Sequence, residues 1–359
     1  MRKIDNNRKI LLNNSLMKPQ YILKKDINGF LDTLSVDNNI YCLSGDLSYK
    51  PYSKKEDPET WDIGAIRANP PLRMFLFTHN EESGLSEPAS PKKTNIIFGV
   101  KSCDLNALKI LDNVFLKGVV ADPFYERNRK NTLLFASDCP NPQETCFCSF
   151  IGGKPYPEKE QNQDYDLNFS SITGGYIVET GSQAGEDIMG QAFAFFKEAS
   201  SEQLAAREAM RAGAFAKLDA VNSSYAKIKN ADFHAFAKTK FLSENWKEYC
   251  KTCVQCTGCN NSCPSCYCFY LSEQSKNSGK IFEKLRFWDA CHYTTHGKVA
   301  GGGNSRPKVF ERFRNRYQCK LNYRKENFGL YGCTGCGRCI SVCPGKIDIR
   351  EVITKLSAQ

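Results

Sequence analysis

Eight of the chain's 18 cysteines fall into two copies of one spacing. "CTGCGRCISVCP" gives Cys333-x2-Cys336-x2-Cys339-x3-Cys343-Pro344, and "CVQCTGCNNSCP" gives Cys253-x2-Cys256-x2-Cys259-x3-Cys263-Pro264. This is the spacing of a [4Fe–4S] site: three thiolates wrap one cluster, and the fourth, on the Cys-Pro turn, ligates the other. The first copy lies in "CKTCVQCTGCNNSCPSCYC", which opens with a cysteine at every third residue. The Cys-Pro anchor selects its register. The exchange rule then groups Cys253, Cys256, Cys259 and Cys343 as one ligand set, and Cys333, Cys336, Cys339 and Cys263 as the other. Gly335 and Gly337 are expected to let the backbone wrap closely and to offer N–H groups to sulfur. The competing use of C-x2-C knuckles is structural zinc, but zinc ribbons do not repeat C-x2-C-x2-C-x3-C-P twice.

Ten cysteines remain. Cys103 follows the apolar run "NIIFGVKS", Cys139 follows "TLLFAS", and Cys146 and Cys148 form "TCFC". If the two runs are parallel strands, their ends share the edge at which α/β sheets bind ligands, and the four thiols are candidates for a third [4Fe–4S] cluster. The alternative is that they are small buried hydrophobes. Cys266, Cys268, Cys291 and Cys319 are left in the C-terminal third, with Cys42 and Cys250 as singles; a fourth cluster could come from this group, although no spacing demands it. His292 and His296 in "CHYTTH" read as loop residues, not as a zinc pair. "AGGGN" lacks the frame of a phosphate loop, and no G-x-G-x-x-G follows a strand. No Ser or Cys nucleophile with its base is recognisable.

Eighteen cysteines in 359 residues without an export signal point to metal or redox chemistry, not to disulfides. No apolar stretch approaches the ~20 residues of a membrane helix, and the apolar piece of "MRKIDNNRKILLNNSLMK" is too short for a signal peptide, so a cytoplasmic protein is expected. The net charge of +10 is unevenly placed: residues 241–359 hold 19 Lys and Arg against 9 Asp and Glu, whereas residues 1–240 hold 30 of each. Scattered among metal-type cysteines, this excess suits compensation of anionic clusters better than nucleic-acid binding.

The elements that must position these residues read as an α+β chain. "YILKKDINGFLDTLS" could be a helix and "NIYCLSG" a strand, while "EESGLSEPASPKKT" reads as a loop. "NIIFGV", a helix over 104–116 with Asp104 as N-cap, "TLLFAS" and "GGYIVETG" suggest an α/β core. Apolar residues three and four apart predict helices from 185 to about 248, with the domain boundary near 240. The expected layout is an α/β domain over 1–184, a helical connector over 185–240, and a mainly α-helical, ferredoxin-like dicluster domain over 241–359. The 70-residue step from Cys263 to Cys333 suits helices flanking the clusters.

"GVKSCDLNALKILD", "DPFYERNRKNTLLFASDC", "TCFCS", "FWDAC", "AGGGNSRPKVFERFRNRY" and the two cysteine runs together resemble one family. It is the iron–sulfur subunit family shared by anaerobic sulfite reductases and by sulfhydrogenase-type [NiFe] hydrogenases, whose beta subunit it supplies. The resemblance spans roughly residues 95–350. It implies an electron-transfer subunit, not itself the catalyst, that relays electrons in a cytoplasmic complex of anaerobic metabolism. The implied partners are a flavin- and NAD(P)-binding diaphorase-type subunit and a catalytic subunit of hydrogenase or sulfite reductase type. It strengthens the case for Cys103, Cys139, Cys146 and Cys148. The chain departs from its relatives at Gly303 and at Cys319-Lys320, where they carry His; His and Cys both ligate iron, so Cys319 could complete a fourth site with Cys266, Cys268 and Cys291. The rival readings are a heterodisulfide-reductase-like catalytic subunit, disfavoured because no Cys-Cys-Gly pair is present, and a structural zinc protein.

Overall fold

The structure is a computed structural model that describes residues 17–54, 61–82, 91–158 and 164–358. The expectations for residues 1–16 and for most of the Ser/Pro-rich loop, residues 83–90, lie outside the described residues. The larger sheet has eight strands: β1 (Gln20–Leu23), β2 (Asn38–Leu43), β3 (Tyr49–Pro51), β5 (Thr94–Val100), β6 (Thr132–Ser137), β7 (Leu167–Ile172), β8 (Gly175–Thr180) and β9 (Lys197–Glu198). Their order is β3-β2-β5-β6-β7-β8-β1-β9. The four central strands β2, β5, β6 and β7 are parallel and the outer pairs antiparallel. A smaller sheet joins β4 (Asn80–Glu82) to a long hairpin, β10 (Phe269–Lys276) and β11 (Ile281–Trp288).

The central strands are buried on both faces, and their side chains alternate between two cores as the pleat requires. Ile96 and Phe98 of β5 join Phe135 and Phe169 under α1 (Ile27–Leu34) and α4 (Gln183–Gln191). Ile97, Val100, Leu134 and Ala136 face α2 (Ser102–Phe115) and α3 (Pro123–Lys130). The alternation breaks at Gly99, where the β5–β6 register shifts. Its φ is +94°, and a Cβ there would stand 2.7 Å from Leu43 Cβ. This bulge turns the end of β5 and aims Lys101–Cys103 off the sheet edge.

Several expectations are corrected. The segment read as one helix from Tyr21 begins as β1, passes through a 3-10 turn at Lys24–Asp26 and becomes α-helical only at Ile27. Asp104 does not cap α2: Lys101 holds the N-cap position, and Asp104 is buried in the first turn, paired with a residue far along the chain. The gap between the cysteine runs is only partly helical, because residues 269–288 form the β10–β11 hairpin. Within residues 185–240, Ile188 and Met189 of α4 lie in the first core, and β9 pairs with β1.

α5 (Ser201–Val221), opened by a Ser200/Gln203 capping box, runs from the sheet towards the cysteine-rich part. There α6 (Phe233–Thr239), α7 (Trp246–Tyr249), α9 (Val309–Tyr317) and α12 (Ile349–Ser357) pack Phe233, Trp246, Phe313, Tyr317 and Ile353 into a second core. Phe147 and Phe150 from the sheet-edge loops enter this core too. α8 (Gly258–Asn261) and α11 (Arg338–Ser341) are the single turns inside the two cysteine runs. α9 continues through a π-helical stretch, Gln318–Tyr323, into α10 (Arg324–Phe328). Among the described residues no helix is long and apolar enough to cross a membrane.

Candidate metal centres

Three neighbouring cavities are lined by the predicted cysteines. The first is walled by Cys253, Cys256, Cys259 and Cys343, with Cys339 beside them. The second is walled by Cys333, Cys336, Cys339 and Cys263. Each Cys-Pro cysteine therefore lies with the three thiols of the other run. The third takes Cys103, Cys139, Cys146 and Cys148. Here the parallel pairing of β5 and β6 brings the ends of both strands to one edge, and the "TCFC" loop closes over it. Among the described residues no three His, Cys, Asp or Glu side chains draw close enough to hold a single metal ion. The thiols surround spaces instead, as the ligands of a multi-iron cluster must.

The turns carrying the cysteines are tightly wound. Gln255 and Thr257 take positive φ (56° and 61°), as do Gly335 and Gly337 (64° and 73°) in the second run. The Gly335 N–H donates to Cys333 Sγ at 3.4 Å, and the Ile347 N–H to Cys343 Sγ at 3.4 Å. The two glycines also answer a second demand. A Cβ on Gly335 would lie 2.5 Å from Cys148 Cα, and one on Gly337 2.3 Å from the Thr145 carbonyl oxygen. They thus let the "TCFC" loop lie directly on the second cysteine run, an approach sealed by the Phe147 N–H donating to the Gly335 carbonyl at 2.8 Å.

Burial makes several of these thiols hard to ionise unaided. It pushes Cys333 up to about 12 and Cys339 and Cys146 up to about 11, and raises Cys103 and Cys148 well above the usual thiol value. A metal that demands thiolates supplies the missing driving force. Buried cations supply more. Arg316 lines the first and second cavities and donates to the Cys259 carbonyl at 3.1 Å. Lys320 lines the second and donates to Ser265 Oγ at 2.8 Å. Arg67 and Lys101 line the third. Arg324 donates to Cys319 Sγ at 3.2 Å. Arg73, stacked 3.4 Å over Trp288, donates to the Cys263 carbonyl at 2.9 Å, and burial lowers it to about 10.

All six are buried, and among the described residues none pairs with a carboxylate. An unpaired buried cation is costly, so an anion is missing from the protein's own inventory. Buried polar atoms without a partner also lie around the cavities: Arg316 Nε, Thr334 Oγ1, His292 Nε2 and Arg67 Nη1. Thiolate-bound clusters with acceptor sulfides fit both needs. Burial lowers His292 to about 3, and its Nδ1 stands 4.0 Å from Cys259 Sγ; among the described residues it joins no group of three side chains able to hold a single ion. His296 pairs with Asp289 instead.

The sequence reading missed these cations, yet Arg312, Arg316, Lys320 and Arg324 recur at every fourth residue. In an α-helix such a row drifts by about 40° per step. The π-helical stretch turns less per residue, so the row is held on the side facing the cysteines, with Cys319 beside it.

Residues 252–347 match the family described as a 4Fe-4S dicluster domain. The protein is thus a dicluster iron–sulfur protein with two [4Fe–4S] clusters, joined to a mixed α/β region. Sulfhydrogenase 2 subunit beta of Pyrococcus furiosus is 35% identical to the chain over 264 residues, 73% of either length, and the chain belongs to the family of that subunit. F420-dependent formate dehydrogenase subunit beta of Methanocaldococcus jannaschii is 25% identical over 193 residues, 53% of this chain and 40% of that one. The sequence resemblance to iron–sulfur, electron-transferring subunits of oxidoreductases is borne out at that level.

The buried cations carry a prediction. Lys320→Met removes a positive charge from the wall of the second cavity, where a reduced, more negative cluster benefits most from it. The midpoint of one cluster should fall by at least about 59 mV, tenfold in a one-electron equilibrium. A mediator titration followed by electron paramagnetic resonance (EPR) reads this; an unaltered midpoint would show that the Lys320 charge is not felt at the cluster.

Proposed function

We propose that the chain is a non-catalytic electron relay with three cluster sites: Cys253, Cys256, Cys259 and Cys343; Cys333, Cys336, Cys339 and Cys263; and Cys103, Cys139, Cys146 and Cys148. The observation that carries this reading is the sharing of walls. Cys339 lines the first and second cavities, and Cys336 lines the second and third. When bound, a [4Fe–4S] cluster takes up and returns a single electron. The protein's residues do the rest. The thiolates fix the sites in a contiguous line, Arg316 and Lys320 offset negative charge at its middle, and Phe147, Phe313, Tyr317 and Ile349 keep water away.

In this reading the line begins at the sheet edge and ends at Cys256, an exposed cysteine, which suits handing electrons between two partner chains. A flavin- and NAD(P)-binding diaphorase-type subunit on one side and a catalytic subunit on the other, in the cytoplasm, are the partners proposed. Kinship with a sulfhydrogenase beta subunit favours a catalytic partner of hydrogenase type over one of sulfite reductase type.

The test is metal analysis of protein purified without oxygen. Iron and acid-labile sulfide should be equal, with no zinc, and Cys148→Ala should lower each by about four per chain. Zinc without sulfide would overturn the reading, and full iron in Cys148→Ala would remove the third site. The isolated chain should also exchange electrons with dye mediators yet not oxidise NAD(P)H; NAD(P)H oxidation by this chain alone would make it an enzyme, not a relay.

A further inference from the structure

Cys266, Cys268, Cys291 and Cys319 lie outside the three cavities, far apart in sequence, yet the fold gathers them. Asn260, 2% exposed, donates from its one Nδ2 to Cys291 Sγ at 3.4 Å and to Cys266 Sγ at 3.7 Å. The thiols of Cys268 and Cys291 lie close enough to interact. The Arg324 guanidinium, donating to Cys319 Sγ at 3.2 Å, stacks 3.7 Å over Tyr267, the residue between Cys266 and Cys268. One amide, one guanidinium and the approach of Cys268 to Cys291 thus tie all four thiols into a single neighbourhood.

The surroundings are those of an anion. Arg324 is 4% exposed, its Nη1 has no partner, and among the described residues it meets no carboxylate. Lys320, one residue from Cys319, and Arg73, which reaches the Cys263 carbonyl, are buried in the same region. Neutral thiols would leave these charges uncompensated, and four core hydrophobes would not need them.

We propose that Cys266, Cys268, Cys291 and Cys319 bind an additional [4Fe–4S] cluster, next to the second cavity through the contact of Cys266 with Cys263. This deepens the relay reading and rests on it. The second cavity would become a branch point, bordering the first through Cys339, the third through Cys336 and this site through Cys263. Exchange along the branch moves one electron, one cluster being oxidised as its neighbour is reduced, with no bond or proton changed. Cys268 directly precedes β10 and Cys291 closely follows β11, so the branch ends at the foot of the hairpin.

The test is a difference measurement on the full chain purified without oxygen. Cys291→Ala should hold about four fewer irons and sulfides than the native protein, whereas Cys42→Ala, in the sheet core, should hold as many. Cys319→Ala, at a half-buried position, gives the same loss should Cys291→Ala not fold; Cys319→His, which keeps a ligand, should retain the iron and alter the EPR spectrum. Full iron in both alanine variants, or loss of zinc in place of iron, overturns the proposal. Native protein without iron would instead overturn the relay reading beneath it.

Discussion

Cys343→Ala should come through anaerobic purification with about four fewer irons and sulfides per chain, and the EPR signal it loses should be the one lost in Cys253→Ala. Cys343 belongs by sequence to the second run, but its side chain lines the cavity of Cys253, Cys256 and Cys259. The variant pairs make the test sharp. Combining Cys343→Ala with Cys253→Ala should cost no further iron, because both empty one site. Combining it with Cys333→Ala should cost about eight irons, because the two residues serve different sites. The opposite pattern, non-additive with Cys333 and additive with Cys253, would mean that each run holds its own cluster. Cys263→Ala is the mirror experiment and should group with Cys333→Ala.

That exchange was legible in the sequence because it follows from local spacing and the Cys-Pro turn. So was the third cysteine group, since strand–helix–strand connectivity brings the ends of β5 and β6 to one edge. What stayed hidden was set by contacts distant in sequence. Gly335 and Gly337 read as residues that wrap a cluster, and their close approach to Thr145–Cys148 cannot be seen from either segment alone. The β10–β11 hairpin left a faint signal in Asn277-Ser278-Gly279, all at positive φ. It was obscured by flanks that mix Glu273, Lys276 and Lys284 with exposed Leu271 and Phe282 and so lack clean alternation. By composition the basic excess of residues 241–359 suited charge compensation, but which of its cations face the cysteines could not be read from it. Only the packing of α9 and its π-helical continuation against the cysteine runs turns the row from Arg312 to Arg324 inward.

Asp104 is the clearest case of a residue whose role its own segment conceals, and Asp104→Asn should be among the most destabilising single changes in the chain. Asp104 Oδ2 accepts from Arg338 Nη2 at 2.8 Å, with the two side chains 0% and 1% exposed. Arg338 Nε also donates to the Ala68 carbonyl at 2.8 Å, so one guanidinium pins α11 to two segments of the sheet region. Breaking such a pair from one side strands a buried charge, which costs about 3–5 kcal/mol. The strain would fall on Arg338, which lies between Cys336 and Cys339 at the start of α11, so iron from the second cavity should be lost on mild heating before the rest. Denaturant unfolding of the holo-protein gives the cost. The double variant Asp104→Leu/Arg338→Met should regain most of it, because two apolar groups leave no charge behind. A loss below about 1 kcal/mol in Asp104→Asn would place Arg338 in the class of weakly contributing surface pairs, and the union of sheet edge and cysteine run would then rest on the backbone approach at Gly335 and Gly337. A double variant no better than the single would mean that losing the Arg338 hydrogen bond to Ala68 costs as much as the stranded charge.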